Sequence, residues 1–288
     1  MTDAPLLSVL IPAYEYSEGV ERILQALEPL SPDVELLIFD DSPAPDMAGL
    51  IEEHASRWPG MRYHHNPSAL GGPLGAGNNW NALLDAARGR YCLLMHHDEM
   101  PLGPEFCSRL RTALMDRTAP DVLLLDVVLL DGALRPLRRH VPAWLRWSVV
   151  RYAPGYLFRR NVIGPTASLV VRREYFPRFD PSLRWLIDVE LYVRLCRARL
   201  KWQRLAGLEV GSVQRSDGTI TASLSSELHH IDAAERVALR PRFPRDRLWL
   251  GAPVGGALRA VEQVLWLSLR IVERAWTRLV RLKPRSSR

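Results

Sequence analysis

Over its first 130 residues the chain alternates short apolar runs with helix-length amphipathic segments, which constrains its fold more than any other feature. Leu6–Ile11, Val34–Phe39, Tyr91–Met95 and the stretch around Val122–Leu130 carry almost no polar residue, as expected of strands buried on both faces. Arg62–His65 is a weaker strand. Between the runs, Ser17 is placed to cap a helix that has Glu18 and Glu21 in its first turn and Val20, Ile23, Leu24 and Leu27 along one face. Further helices are expected over about 46–57, 75–88 and 104–115. Strands separated by helices imply crossover connections and a mainly parallel sheet flanked by helices, an α/β fold.

With 47% hydrophobic and 24% charged residues over 288 positions, the chain has the composition of a globular protein. Disordered, collagen-like and disulfide-framework classes are excluded. Cys92, Cys107 and Cys196 show no metal-ligand spacing and cannot all pair, so they are expected as reduced thiols in a cytoplasmic protein. MTDAPLLSVLIPAY lacks the basic region and cleavage site of a signal peptide, and no uncharged apolar run reaches the roughly 18 residues of a membrane span. The net charge of +6 belongs entirely to residues 257–288, where eight basic side chains face Glu262 and Glu273. The remainder is formally neutral and lacks the electrostatic footprint of a nucleic-acid-binding protein.

Polar clusters fall where the apolar runs stop: Ala13-Tyr14-Glu15-Tyr16, Asp40-Asp41-Ser42 and His96-His97-Asp98-Glu99. In an open α/β sheet, ligands bind outside the carboxyl ends of the strands, so the three clusters are candidates for one crevice. The first loop contains neither G-x-G-x-x-G nor G-x-x-x-x-G-K-[ST], which removes the key feature of dinucleotide-binding and P-loop proteins.

SVLIPAYE (Ser8–Glu15), LLIFDDSP (Leu36–Pro43), NNWNALLDAARGRY (Asn78–Tyr91) and LLMHHDEMPLGP (Leu93–Pro104) resemble, in order and spacing, the motifs of family 2 glycosyltransferases. The resemblance covers about residues 6–220 and implies the GT-A fold. It implies that Pro12, Ala13, Tyr14, Glu15, Asp40 and Asp41 hold the nucleoside of a nucleotide-sugar donor, with Asn79, His96 and His97 also on the donor side. The block His96–Glu99 looks like the family's D-x-D segment, which holds a divalent cation on the donor diphosphate. His96 replaces the first Asp, Asp98 matches the second and is the expected metal ligand, and Glu99 is the neighbouring acid. Mn²⁺ or Mg²⁺ suits such a site, and an imidazole favours Mn²⁺. Hydrogen bonding of His96 and His97 to ribose or to loop backbone, without metal contact, is the alternative.

In the second half, Asn161–Val171 looks like the family's strand returning from the acceptor side. A helix over Leu186–Arg197 has Asp188 in its first turn, and Glu190 lies two residues on. The resemblance implies that Asp188, in an E-D-like motif reading Ile187-Asp188, is the general base that deprotonates an acceptor hydroxyl. One base without a covalent nucleophile implies a single displacement that inverts the anomeric centre. Arg215 stands where relatives carry a loop that closes over the diphosphate. Arg135–Arg160, with interleaved Arg, Trp and Tyr, reads either as an acceptor platform or as a solvated loop with Trp anchors.

The expected organisation is a catalytic domain over 1–240, a Pro-rich linker over 241–256 and a basic amphipathic helix over 257–288. That helix suits an anionic membrane surface, on the cytoplasmic face of the cell membrane, or a protein partner. The expected function is sugar transfer to a glycan or lipid-linked hydroxyl in polysaccharide or glycoconjugate biosynthesis. The alternative is a catalytically silent GT-A module that binds a nucleotide-sugar or glycan, which the altered His96 and Ile187 positions would suit.

Overall fold

The computed structural model describes residues 4–27, 32–45, 47–58, 60–66, 72–214, 226–246, 249–251 and, further on, 264, 267, 268, 271, 272, 274 and 275. Four strands, β1 (Leu7–Ala13), β2 (Val34–Asp40), β3 (Met61–His65) and β4 (Tyr91–Leu94), form a parallel set in the order β3-β2-β1-β4. β8 (Leu169–Arg172) pairs antiparallel with β4 on one side and with β6 (Val122–Leu130) on the other. β9 (Trp202–Val213) runs parallel to β6, and β5 (Glu99–Leu102) closes that edge antiparallel to β9. β7 (Pro136–Arg139) pairs with β6 alone. The sheet is therefore parallel in its first half, as expected, and mixed in its second, where β8 arrives from the opposite direction.

Alternate residues of the central strands feed two apolar layers, which explains their continuous apolar runs. Leu10, Leu37, Val122 and Leu124 point to the layer under α3 (Ala76–Ala86), α5 (Ala143–Tyr152) and α6 (Ile187–Arg197). Val9, Ile11, Leu123 and Leu125 point to the other, under α1 (Ser17–Ala26), α2 (Ala48–Ala55) and α4 (Phe106–Met115). Ser17 proves to be the first helical residue rather than the cap. Tyr16 takes the cap position and makes no side-chain cap bond. Segment 135–160, for which a platform or a loop was expected, forms β7 and α5, with Leu145, Val149 and Val150 buried. α7 (Leu228–Leu239) follows β9. Within the Pro-rich stretch expected as a linker, Phe243 and Leu250 are buried in the first apolar layer, and Arg197 pairs with the buried Asp246. No two cysteines are bonded.

At the amino edge of the sheet, Glu35 of β2 locks three segments together. Its Oε1 accepts the Ser8 hydroxyl (2.5 Å) and the backbone N–H groups of Arg88 (2.5 Å) and Gly89 (3.1 Å), and Oε2 meets the Arg62 guanidinium (3.1 Å). Burial raises the proton affinity of this carboxyl, but the four donors outweigh it and hold the pKa below the ordinary glutamate value. The ionised form is thus favoured by folding. Its contribution is present above the unfolded-state pKa and is lost as pH falls through the folded one. We expect Glu35→Gln to cost about 1–3 kcal/mol, seen as a lower urea midpoint at pH 7 that converges on wild type in acid.

Candidate active site

Because β1, β2, β3 and β4 are parallel, their carboxyl ends share one edge, and Ala13 lies in register with Asp40, which in turn lies in register with His65. Pro12 and Ala13 are buried strand residues, whereas Tyr14 and Glu15 emerge at the edge. Glu15 adopts a left-handed φ of 46°, held by its N–H donating to Ser42 Oγ (2.8 Å). Such a conformation is unfavourable for a non-glycine residue and turns the chain sharply out of the strand. Desolvation, with Glu15 and Asp41 nearby, raises the Tyr14 pKa.

The two aspartates at the end of β2 are engaged by the protein itself. Asp40 accepts the Ser42 N–H (3.0 Å) and hydroxyl on Oδ1 and the Tyr63 hydroxyl on Oδ2 (2.9 Å). Asp41 accepts the N–H groups of Leu74 (2.8 Å) and Gly75 (2.9 Å), fixing the start of α3. Asn79 joins the Asn66 side-chain amide (2.9 Å) to the Phe39 carbonyl (3.1 Å). These residues therefore shape the walls of the crevice through protein–protein bonds.

The third cluster is the chemical centre. Ligand atoms of His96, Asp98 and Glu99 all lie within 4.8 Å of one another. Glu99 Oε2 accepts the N–H groups of His96 (3.0 Å) and Ala167 (3.2 Å), and Oε1 lies 3.3 Å from His96 Nδ1. The His96 ring packs on Trp80 with centroids 4.6 Å apart, and its Nε2 is 3.5 Å from Thr166 Oγ1. Burial lowers the His96 pKa, but Glu99, then Asp98 and Asp188, outweigh it and the net shift is upward. Burial and the Glu99 charge raise that of Asp98, partly offset by His96 and His97. Two carboxylates and one imidazole converge here. This is a donor set of hard oxygens and one nitrogen that fits a divalent cation. His97 packs edge-on against Tyr16 at 5.6 Å, and its carbonyl lies where a Cβ on Gly19 would sit, so α1 seats directly against the cluster.

Asp188, at the start of α6, is close enough for the charges of His96 and Glu99 to act on it. Burial raises its pKa to about 6, against the pull of the Val189 N–H and of His96. Val189 N–H donates to its Oδ1 (2.7 Å) and Asn161 Nδ2 to its Oδ2 (2.8 Å). Glu190 lies outside this group. Fully buried, it binds Arg194 (2.7 Å) and Arg242 (2.6 Å). Glu235 of α7 accepts the N–H groups of Arg184 (2.5 Å), Trp185 (3.2 Å) and Leu186 (2.8 Å), capping the segment that leads into α6. The sequence pattern did not single out Asn161, Trp80, Thr166 or Glu235. Trp80 lies within Asn78–Tyr91, and Asn161 and Thr166 within Asn161–Val171, but no spacing rule distinguishes them there.

Most arginines of the 135–160 stretch have partners within the protein. Arg135 pairs with Asp131 (2.8 Å), Arg139 with Glu209 (2.6 Å), and the buried Arg146 donates to the Leu125 and Ile163 carbonyls. Arg215 lies outside the described residues.

A mixed sheet between two helical layers, with an acidic cluster at the carboxyl edge of its parallel strands, matches the GT-A fold. The model of the family described as glycosyl transferase family 2 matches residues 8–168, more than half of the chain, and the protein belongs to that family. Its fold is similar to that of Staphylococcus aureus TarS 1–349 in complex with UDP-GlcNAc (TM-score 0.57, 16% identity, covering 80% of this chain and 66% of that one). It is also similar to mannosyltransferase PcManGT from Pyrobaculum calidifontis in complex with GDP-Man and Mn²⁺ (0.53, 13%, 96% and 84%). GalNAc-T7 with UDP, GalNAc and Mn²⁺ matches at 0.51 and 16% identity, over 75% of this chain and 45% of that one. The chain thus spans just under two thirds of the length of the crystallised TarS fragment. No curated protein sequence matches it.

Proposed function

We propose that the protein is an inverting, cation-dependent glycosyltransferase that moves a sugar from a nucleotide-sugar to a hydroxyl of a glycan or lipid-linked acceptor. The observation that carries this reading is the buried carboxylate of Asp188, raised to a pKa of about 6 beside the His96–Asp98–Glu99 cluster. The acceptor hydroxyl attacks the sugar C1 as the bond from C1 to the diphosphate oxygen breaks, and the hydroxyl proton passes to Asp188. Glu190 is held by Arg194 and Arg242, and with Asp98 and Glu99 assigned to the cation, Asp188 acts as the one base of a single displacement. Asp98 and Glu99, with His96 beside them, would hold Mn²⁺ or Mg²⁺, which would neutralise charge on the departing nucleoside diphosphate. Tyr14 and Glu15 are the edge residues open to the nucleoside, and Pro12, Ala13, Asp40, Asp41, Asn79 and His97 frame its pocket. Arg215 would close over the diphosphate.

Calorimetric titration with UDP-GlcNAc and GDP-mannose, with Mn²⁺ and then with chelator, tests the donor reading. We expect saturable binding of one of the two that is lost on chelation; folded protein that binds neither would leave the GT-A module without a donor of these classes.

Among the described residues no helix is long and apolar enough to cross a membrane. Of the basic tail, only the seven residues from 264 to 275 named above are described. All are helical, and Val264, Leu267 and Ile271, spaced as one helix face, are exposed. The rest of the expected helix lies outside the described residues. We read it as an anchor to the anionic inner face of the cell membrane, in a pathway of polysaccharide or glycoconjugate assembly. Deleting 254–288 should abolish co-sedimentation with phosphatidylglycerol vesicles at low salt, and undiminished sedimentation would place the contact elsewhere.

A further inference from the structure

The turn Asn161–Gly164 is held from several sides and passes its order on through a single side-chain bond. Arg146 Nη2 donates to the Ile163 carbonyl (2.6 Å), as does Ser168 Oγ (3.1 Å), and the Tyr192 hydroxyl donates to the Gly164 carbonyl (3.1 Å). His140 Nε2 lies 3.0 Å from the Asn161 carbonyl. Facing a carbonyl, that ring nitrogen carries the proton. Within the turn, Asn161 Oδ1 accepts the Gly164 N–H (2.8 Å) and Nδ2 donates to the Gly164 carbonyl (3.0 Å). Gly164 has a φ of 98°, and a Cβ there would press on His140 and Val127 at 3.3 Å, so the turn requires glycine. Val162 and Ile163 are fully buried. The second proton of Asn161 Nδ2 points out of the turn, to Asp188 Oδ2 at 2.8 Å.

We propose that Asn161 is a positioning residue for the transfer step: it sets the rotamer of the Asp188 carboxylate against the sugar-bearing crevice. The proposal rests on Asp188 being the base. Each Asp188 oxygen receives one N–H, Oδ1 from Val189 of its own helix and Oδ2 from Asn161. The carboxylate cannot turn about its last bond without giving up a charge-assisted hydrogen bond, yet each oxygen keeps a lone pair for an acceptor proton. Val189 alone would leave one oxygen unrestrained. The fixed reference comes from α5, α6, the residue after β7 and the residue before β8, through Arg146, Tyr192, His140 and Ser168, which suits a group that must be held to within a fraction of an ångström.

The test uses Asn161→Asp, which keeps the size and the acceptor for the Gly164 N–H but replaces the donor with an oxygen. Its crystal structure should show Asp188 swung out of the wild-type rotamer. Mn²⁺-dependent release of UDP from UDP-GlcNAc, or of GDP from GDP-mannose, should fall about 10–100-fold in kcat with the donor KM within about twofold. Asn161→Ala, free of the added charge, should show a disordered Asp188 and a similar loss of kcat. Asp188 ordered in its wild-type rotamer in both variants overturns the proposal whatever the turnover. Glu35→Gln, at the opposite edge of the sheet, separates stability from position, since it should lower the melting temperature and leave kcat alone. Failure of the base reading itself shows differently, as wild-type turnover by Asp188→Asn.

Discussion

Asp188→Asn should lower kcat by about 10²–10⁴-fold, the range that a positioned proton acceptor supplies, and leave donor affinity within about twofold. An amide keeps the shape of the side chain but cannot take the acceptor proton, and the cation cluster and nucleoside edge lie on other elements. The wild-type enzyme should report the same group through pH. Burial lifts Asp188 to a pKa of about 6, so the working ionised form is lost as pH drops through that value. The value of kcat/KM should therefore be level above it and fall towards a tenfold loss per pH unit below. A variant that retains wild-type turnover, or a profile flat down to pH 5, would remove Asp188 from the proton transfer.

Asp98→Asn should have the second large effect, on donor binding. Its carboxyl is held above its ordinary pKa first by burial and then by the neighbouring Glu99, partly offset by His96 and His97. On the proposed assignment a divalent cation would relieve the repulsion between Asp98 and Glu99, so the variant should lose affinity for the ion and, with it, for the diphosphate. We expect donor affinity to fall at least about tenfold, equivalent to roughly 1.4 kcal/mol, and chelation of the wild type to do the same. Calorimetry with Mn²⁺ alone, before any donor is added, separates loss of the ion from loss of the sugar. Equal Mn²⁺ affinity in variant and wild type would move the ion off Asp98.

The strands buried on both faces were legible because burial leaves a direct mark in composition: β1, β2, β4 and β6 are apolar at nearly every position. The polar clusters at their ends were legible for a geometric reason, since parallel strands must place their carboxyl ends on one edge. Short elements left no such mark. β5 is four residues with a proline, β7 is wholly exposed, and α5 hides its Leu145, Val149 and Val150 face among arginines and tryptophans. Within the site, the sequence told which carboxylates gather but not how each is used. Asp40, Asp41 and Asn79 are bound to protein groups brought from β3, the residues just before α3 and the end of β2, and those bonds exist only once the sheet has formed. Asn161 is invisible for the same reason, being 27 residues from Asp188 and meeting it only through packing.

The place of β8 bears on how the chain becomes folded during synthesis. The edge of β4, Tyr91–Leu94, is covered on one side by β1 and on the other only by Leu169–Arg172. Until that later segment leaves the ribosome, a row of unpaired backbone groups on a fully apolar strand stays open, a template for pairing with another nascent chain. The stretch matching the family ends at residue 168, one position short of the strand that covers this edge. A fragment cut there would contain the His96–Glu99 cluster and the whole of the family match, yet would leave the edge of β4 uncovered. A piece that keeps this edge covered must run past β8, and past Glu235 if the segment leading into α6 is to stay capped.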